Sequence, residues 1–234
     1  MLTVPADLNR NADDVTVEGH DASAKRLMRE ICDRTGLSDF LDTDVLDVGC
    51  GVRFTAAIVN LELGIKSYTG VEVHKPIVDF LTEEADDARF SFAHWDVQND
   101  LYNSAGVPLA SCDKLPVSKK YDQIWLMSVF THTKPEDMAA MLSLFKKCIK
   151  EEGKLVFTCF VDPALETFNN ADGRLIYANY GESFLEGKLS DAGWTVDAWY
   201  PPTIQGGSHW QQGRYGRMYI CSNFTASKNL HKGL

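Results

Sequence analysis

Length, composition and charge set the first limits on what this chain can be. It has 234 residues, of which 44% are hydrophobic, and this is enough for one sizeable core. Its 23 basic and 33 acidic residues leave a formal net charge of −10, with no run rich in lysine or arginine. Such a surface repels phosphate backbones, so we expect a protein without a nucleic-acid partner.

The sequence also limits the compartment and the redox chemistry. No stretch approaches the ~20 apolar residues of a membrane helix, and the N-terminal residues lack the basic and apolar segments of a secretory signal. We therefore expect a cytoplasmic protein without membrane contact. The six cysteines are scattered with no C-x-x-C pair, which argues against a zinc knuckle or a redox dithiol.

The N-terminal part of the chain divides at about residue 20. Residues 1–20 are polar and patternless, and they predict a flexible arm before a single domain at 21–234. Apolar residues then recur with helical spacing, which predicts a helix at 22–37. This helix leads into the first strand, and packing is its expected role.

Between residues 40 and 160, short apolar runs alternate with helical patterns. The runs predict strands at 45–48, 68–73, 90–93, 124–127 and 155–160. Strands that are apolar on both faces and separated by helices indicate a parallel sheet covered on both sides. The clearest helix is predicted from about Lys134 to Glu151, with a capping box of Thr133 and Glu136 before it and Gly153 just past its end.

The last part of the domain, at 161–222, changes character. Two runs rich in aromatic and β-branched residues, at 194–200 and 214–222, flank a connection rich in proline and glycine. They predict an antiparallel pair that closes the sheet. The expected fold is α/β and Rossmann-like, an open, mostly parallel seven-stranded sheet with a C-terminal antiparallel strand and helices on both faces.

The strand that ends near Asp47 runs into Gly49-Cys50-Gly51 and then into a helix, an arrangement that suits a nucleotide. Glycine lets the backbone approach a ligand closely, and a helix N-terminus presents unpaired N–H groups. A second strand carries an acid, Glu72, about 20 residues further on, where a ribose hydroxyl pair can donate to it.

A dinucleotide dehydrogenase shares these features, but two details argue against it. Phe54 stands where the third glycine of G-x-G-x-x-G belongs, and the chain has no Tyr-x-x-x-Lys pair. The carboxylate of Asp47 beside the turn would repel a pyrophosphate, whereas it would attract the ammonium group of a methionine moiety.

Four segments in this order resemble the successive motifs of class I S-adenosylmethionine-dependent methyltransferases, over about residues 40 to 160. They are Asp47-Val48-Gly49-Cys50-Gly51, Gly70-Val71-Glu72-Val73, Trp95-Asp96-Val97 and the run from Tyr121 to His132. The run Ser128-Val129-Phe130-Thr131-His132, with the residues from Asp96 to Asn103, is similar to a bacterial subgroup that methylates small molecules, often in sugar or secondary-metabolite clusters.

The resemblance implies S-adenosylmethionine as the cofactor and a role for each motif residue. Glycines of the turn would line the methionine part, Glu72 would hold the ribose, and Asp96 would take the adenine amino group with the Val97 N–H at the ring. Ser128 and Val129 would lie under the sulfonium. The implied cofactor-binding set is Asp47, Gly49, Cys50, Gly51, Glu72, Val73, Asp96, Val97, Ser128 and Val129. The family commonly has a further glycine two residues after Gly51, where this chain has Arg53, unless the turn is one residue shorter and Arg53 already begins the helix.

On the acceptor side, methyl transfer to oxygen needs a group that removes the hydroxyl proton. His132 is the candidate general base because histidine titrates near neutral pH, with a packing role as the alternative. Asp162 follows the next strand and should face the acceptor. The polar, glycine-rich stretch 206–213 could form a lid over a hydroxylated acceptor, with His209 and Trp210 as contacts and His209 as a rival base, or it could be a surface loop.

Two further predictions concern metals and the function as a whole. Asp122 and Asp162 lack the compact spacing of a magnesium site, so we expect no metal. The predicted function is methyl transfer from S-adenosylmethionine to a small molecule, on oxygen. A cofactor-binding partner without catalysis is the alternative, and a protein or nucleic-acid methyltransferase ranks third, because the chain is acidic and lacks the Asn/Asp-Pro-Pro-Tyr run of amino-group enzymes.

Overall fold

The protein is described by a computed structural model that covers residues 1–9, 17–99, 102–170, 173, 175, 177–202 and 215–223. These residues form nine strands and five α-helices. The strands are β1 Phe40–Val48, β2 Ile65–Glu72, β3 Phe90–His94, β4 Tyr121–Leu126, β5 Ile149–Val161, β6 Phe168–Asn170, β7 Ala178–Tyr180, β8 Trp194–Tyr200 and β9 Gly216–Asn223. The helices are α1 Val17–Thr35, α2 Arg53–Asn60, α3 Lys75–Glu84, α4 Pro135–Cys148 and α5 Glu182–Asp191.

The sheet has the predicted open, mostly parallel architecture. Strands β3, β2, β1, β4 and β5 lie side by side in this order, and each neighbouring pair is parallel. Strand β9 runs antiparallel to β5, and β8 pairs with β9. These seven strands confirm the predicted fold, and the short strands β6 and β7 extend the sheet at the carboxyl end of β5.

The order of the strands fixes where a ligand can lie. The chain moves outward from β1 to β2 and β3, and then returns to the other side of β1 as β4. At such a switch point the connections leave the sheet in opposite directions, which opens a crevice beyond the carboxyl ends of the strands. The turn at Gly49 and the segment at Ser128 follow β1 and β4, which border this point, and Glu72 ends β2, the neighbour of β1.

Helices cover both faces of the sheet, and each face has its own apolar core. One cluster includes Ile31 of α1, Phe54 of α2 and Trp125 of β4. The other lies under α4 and α5 and contains Phe145 and Leu189. Burial of apolar surface on both sides is the main stabilising contribution, and it explains why buried segments of the central strands, such as 124–126 of β4, are apolar on both faces.

The limits of two helices differ from their prediction. Helix α1 begins earlier, at Val17, and ends at Thr35. The capping box before α4 was wrong, because the cap residue is Lys134 and the Thr133 hydroxyl donates instead to the carbonyl of Val129 at 2.8 Å. Pro135 starts the helix, where its missing N–H has no intrahelical partner to lose. Gly153 lies within β5, because the strand follows α4 directly.

The N-terminal residues contact the folded domain over 1–9. Leu2 is 5% exposed and Leu8 is 8% exposed. The backbone N–H of Leu2 donates to Oδ1 of Asn60 at 2.6 Å, and Nδ2 of Asn60 donates back to the Leu2 carbonyl at 3.1 Å. The division into an arm at 1–20 and a domain at 21–234 stays a prediction. Across the described ranges, no helix is both long and apolar enough to cross a membrane.

Candidate active site

The turn after β1 has the backbone geometry that its glycines predict. Gly49 and Gly51 have φ angles of +71° and +50°, a region that residues with a side chain rarely adopt. The N–H groups of Gly49 and Cys50 donate to the carbonyl of Val71 at 2.7 and 3.3 Å, which ties the turn to β2. A β-carbon on Gly49 would lie 2.5 Å from Cγ2 of Val129. The first glycine is therefore needed for both its conformation and its lack of a side chain.

Glu72, at the end of β2, connects the turn to the next segment. Its carboxylate is buried, with the residue 3% exposed, and accepts backbone N–H groups from both sides. Oε2 accepts from Gly51 at 3.1 Å, and Oε1 accepts from Val73 and His74 at 2.9 and 3.0 Å. Three N–H donors hold the carboxylate in place, so it can accept from a sugar hydroxyl without first having to be ordered.

Asp47 is the second buried carboxylate, one strand away. The residue is 1% exposed, and its Oδ2 accepts the hydroxyl of Tyr68 at 2.5 Å. Its Oδ1 is buried with no hydrogen-bond partner among the described residues. Burial, with a smaller contribution from the nearby charge of Glu72, raises the pKa of Asp47 to about 7, against the opposing effects of Tyr68 and Arg53. A cationic donor that reached Oδ1 would supply the missing hydrogen bond and would stabilise the charged carboxylate.

Arg53 takes the place where a further glycine was expected, and the structure explains how it fits. Val52 caps α2, and Arg53 is its first residue. Arg53 therefore has helical backbone geometry, and no left-handed conformation is required of it. Its guanidinium carbon lies 5.5 Å from the ring centre of Phe54. Burial lowers the pKa of Arg53 to about 10, and nearby Asp47 partly opposes this.

The predicted adenine segment after β3 is a compact loop. Asp96 is exposed, and its Oδ1 accepts Nδ2 of Asn103 at 2.9 Å. The same amide donates to the carbonyl of Val97 at 3.1 Å. The N–H of Val97, which the family resemblance assigns to the adenine ring, donates to the carbonyl of Trp95 at 2.8 Å. Asn103 thus orders Asp96, a role that sequence reasoning missed.

Ser128 and Val129 lie after β4, directly across from the glycine turn. Ser128 has a φ angle of +63°, although it is not glycine, and its N–H donates to Oγ1 of Thr158 at 2.7 Å. Thr131 donates its hydroxyl to the Ser128 carbonyl at 2.8 Å. These bonds offset a backbone conformation that costs ~1 kcal/mol or more, and such strain is typical of functional sites. Neither the conformation nor Thr158 was predicted from the sequence.

His132 ends a short 3₁₀-helix, Phe130–His132, beside the same segment. Its N–H donates to the carbonyl of Val129 at 2.9 Å, so the residue lies one turn from the predicted sulfonium position. The imidazole Nδ1 lies 2.9 Å from the carbonyl oxygen of Leu175. A carbonyl oxygen can only accept, so Nδ1 carries a proton and, in the neutral ring, the lone pair belongs to Nε2.

The remaining acceptor-side residues are placed only in part. Asp162 follows β5, with its N–H donating to the carbonyl of Tyr180 at 3.0 Å and its Oδ1 accepting from Ala164 at 2.9 Å. His209 and Trp210 lie outside the described residues. Within the ranges that the structure covers, no group of three or more His, Cys, Asp or Glu side chains could hold a metal ion.

The family model described as a methyltransferase domain matches residues 20–198 of the chain, more than half of its length. The chain belongs to this methyltransferase family. The match and the fold together confirm the predicted class I, S-adenosylmethionine-dependent methyltransferase. Catalytic methyl transfer is therefore the activity class of the domain.

Several solved methyltransferases have the same fold as this one. The 1,6-didemethyltoxoflavin-N1-methyltransferase of Burkholderia thailandensis, with its substrate and S-adenosylhomocysteine bound, is 18% identical, with a TM-score of 0.58 over 91% of this chain and 82% of that one. The magnesium protoporphyrin IX methyltransferase of Synechocystis PCC 6803 with bound S-adenosylhomocysteine is 16% identical, with a TM-score of 0.54 over 87% and 83%. The glycopeptide N-methyltransferase MtfA complexed with sinefungin is 13% identical, with a TM-score of 0.56 over 87% and 93%.

The residues of this methyltransferase fit an S-adenosylmethionine molecule on their own chemistry. Asp47 Oδ1 is a buried acceptor without a donor in the described part of the chain, and an ammonium group would provide one. Open space surrounds the position that a β-carbon on Gly51 would take, so a ligand can approach the backbone of the turn closely. The N–H groups of Gly51, Val73 and His74 fix the carboxylate of Glu72 at the end of the adjacent strand. A ribose hydroxyl could donate to it there.

Proposed function

We propose that this methyltransferase binds S-adenosylmethionine across the carboxyl ends of β1 to β4 and methylates a hydroxyl group of a small molecule. The observation that carries the proposal is the pair of buried carboxylates, Asp47 and Glu72, on either side of a left-handed glycine turn. S-adenosylmethionine supplies an electrophilic methyl group next to these residues. Asp47 binds the ammonium group and Glu72 accepts from the ribose hydroxyls.

Three further segments complete the proposed cofactor site. Cys50 and Val73 contribute backbone next to the turn and to Glu72, and Asp96 binds the adenine amino group. Val129 packs against Gly49 of the turn, and this supports a position for Ser128 and Val129 under the sulfonium. The Val97 N–H donates to the carbonyl of Trp95, two residues earlier. To bind the adenine ring it would have to leave that carbonyl, which requires a small rearrangement of the loop.

We assign the proton-accepting role to His132. The bond between Nδ1 and the Leu175 carbonyl fixes the tautomer whose Nε2 is a base, and it also fixes the plane of the ring. With S-adenosylmethionine bound, its sulfonium would supply the methyl group and keep the electron pair of the broken sulfur–carbon bond, and Nε2 of His132 would accept the proton of the acceptor hydroxyl. Positioning of the two reactants supplies much of the rate, and the base supplies the rest.

A small-molecule acceptor is supported by charge and by relatives. The net charge of −10 opposes binding to nucleic acid. Structurally similar methyltransferases act, by their names, on toxoflavin precursors, magnesium protoporphyrin IX and mitomycin, the last of these at an oxygen. Asp162, at the carboxyl end of β5, is the described residue that we place on the acceptor side, and His209 and Trp210 remain proposed contacts.

Calorimetric titration with S-adenosylhomocysteine tests the cofactor part of the proposal. We expect the wild type to bind and Glu72→Ala to bind ~100-fold more weakly, because charged hydrogen bonds to two hydroxyls are lost. Glu84→Ala is the matched control, since Glu84 is exposed at the end of α3 and should bind like the wild type. No binding by the wild type, or equal binding by Glu72→Ala, contradicts the proposal.

Release of S-adenosylhomocysteine from the purified enzyme tests the acceptor part. The wild type is offered S-adenosylmethionine with panels of hydroxylated, amine and thiol small molecules. Turnover with hydroxylated acceptors supports the proposal, whereas turnover with amines alone contradicts oxygen as the acceptor atom. Cofactor binding without turnover across all panels would favour the alternative, a binding partner that has lost catalysis.

A further inference from the structure

Arg53 brings a positive charge into the cofactor crevice at a point where the family pattern has none. It is the first residue of α2, two positions after Gly51. The ring of Phe54 lies 5.5 Å from its guanidinium carbon, and this ring in turn packs against Trp125 at 5.3 Å. Burial lowers the pKa of Arg53, and the nearby carboxylate of Asp47 opposes this effect. The guanidinium is therefore held beside the turn by apolar packing and by the charge of Asp47.

The carboxylates of Asp47 and Glu72 differ in the number of hydrogen-bond donors that they accept from. Glu72 already accepts three backbone N–H groups, and both of its oxygens have donors. In Asp47 only Oδ2 has a donor, the Tyr68 hydroxyl, while Oδ1 is buried without one. Arg53 is thus near Asp47 but donates no hydrogen bond to Oδ1. Asp47 therefore keeps a buried acceptor oxygen within the electrostatic influence of Arg53.

We propose that Arg53 binds the carboxylate of the methionine part of the cofactor, opposite Asp47, which binds the ammonium. This inference rests on the proposed function and names a residue that the family motifs do not contain. An amino acid carries its ammonium and carboxylate on one carbon, so a site for it needs groups of opposite charge a few ångströms apart. Asp47 and Arg53 supply that pair, and the planar fork of a guanidinium suits a carboxylate.

The start of α2 reinforces the assignment. The first N–H groups of a helix have no intrahelical partners, and the helix dipole places partial positive charge there. An anion beside Arg53 would meet these groups as well as the side chain. The buried, unpartnered Oδ1 of Asp47 indicates independently that a charged ligand belongs at the same place.

A comparison of two ligands with two proteins tests the role of Arg53. The ligands are S-adenosylhomocysteine and its decarboxylated form, which keeps the ammonium. We expect the wild type to bind S-adenosylhomocysteine ~10- to 100-fold more tightly than the decarboxylated ligand. In Arg53→Gln this preference should disappear, because only the carboxylate-containing ligand loses affinity. Both affinities are measured by calorimetry on the full chain.

Arg53→Lys is the second variant, and it keeps the charge while removing the fork. We expect it to retain part of the preference, and it keeps the proposal testable should Arg53→Gln fail to fold. No preference in the wild type overturns the role of Arg53, as does an equal loss for both ligands in Arg53→Gln. If the wild type binds neither of these ligands nor 5′-methylthioadenosine, the proposed function itself fails.

Discussion

The cofactor side of the crevice is held by backbone groups, whereas the acceptor side depends on contacts between segments far apart in the chain. Gly49, Cys50 and Gly51 are fixed by hydrogen bonds to β2, their parallel neighbour. On the other side, His132 is oriented by the carbonyl of Leu175, and the N–H of Asp162 donates to the carbonyl of Tyr180. One neighbouring strand, β2, positions the first set, whereas separate segments further along the chain position the second.

This difference suggests that cofactor binding and acceptor binding depend on separate parts of the structure. A cofactor with a fixed shape can be bound by a rigid, locally encoded turn, while acceptors differ and need segments that can change independently. Substitutions on the acceptor side should therefore alter turnover without altering cofactor affinity, and substitutions in the turn should alter both. The predictions below challenge that separation, beginning with the largest expected effect.

Replacement of His132 should show most clearly that turnover can change while cofactor affinity does not. We expect His132→Ala to lower turnover by ~10²- to 10⁴-fold while leaving affinity for S-adenosylhomocysteine unchanged, because only proton removal is lost. His132→Asn should be equally slow, although its amide can still donate to the Leu175 carbonyl. Steady-state kinetics and calorimetry measure the two quantities. Wild-type turnover in His132→Asn would assign the histidine a packing role.

Substitution of the first glycine should damage the turn and the fold together. Gly49→Ala adds a β-carbon 2.5 Å from Val129 at a φ angle of +71°, so we expect a loss of about 2–4 kcal/mol in the free energy of unfolding. Gly187→Ala is the matched control: Gly187 lies in α5 with open space around it, and the change should stabilise by about 1 kcal/mol. Urea denaturation measures both, and a change of the same sign in the two variants would contradict this account.

Cofactor affinity should depend on pH through Asp47. Its pKa is raised to about 7, so the free protein holds a proton there at pH 6 that an ammonium ligand must displace. Affinity for S-adenosylhomocysteine should rise up to ~10-fold per pH unit below pH 7 and level off above it. Asp47→Asn should bind more weakly and without this dependence. An affinity that is constant from pH 6 to 8 in the wild type would show that Asp47 does not bind the ammonium as a carboxylate.

The same raised pKa has the opposite effect on the stability of the ligand-free protein. An unfolded aspartate loses its proton near pH ~4, whereas native Asp47 keeps it to about pH 7. The native state therefore binds more protons in this interval, and the contribution of Asp47 to stability falls as the pH rises from about 4 to 7. Chemical denaturation of wild type and Asp47→Asn across this range measures the contribution, which should be absent in the variant.

Sequence reasoning worked where local residue types determine the backbone. Gly49 and Gly51 predict left-handed turn residues, and the structure has them. The alternation of apolar runs and helical patterns predicted β1 to β5, because burial on both faces leaves a continuous apolar signal. Runs rich in aromatic and β-branched residues predicted β8 and β9, so seven of the nine described strands were expected. The start of α4 was misread because Thr133 and Glu136 match a capping box, although Pro135 already fixes the helix start.

Features that depend on long-range contacts could not be predicted in the same way. Ser128 and Leu175 have φ angles of +63° and +57°, and neither residue type indicates a left-handed conformation. Strands β6 and β7 have three residues each, too few for a periodic pattern. The bond from Tyr68 to Asp47 follows from the register of β1 against β2, which pairs Asp47 with Gly70. A sequence alone does not contain that register.

A crystal structure with S-adenosylhomocysteine tests the central claim most directly. The account predicts the ligand across the turn, with its ribose hydroxyls on Glu72, its ammonium on Oδ1 of Asp47 and its sulfur near Val129. A ligand bound elsewhere on the protein, or bound with Asp47 Oδ1 and Glu72 both out of hydrogen-bond range, would contradict it.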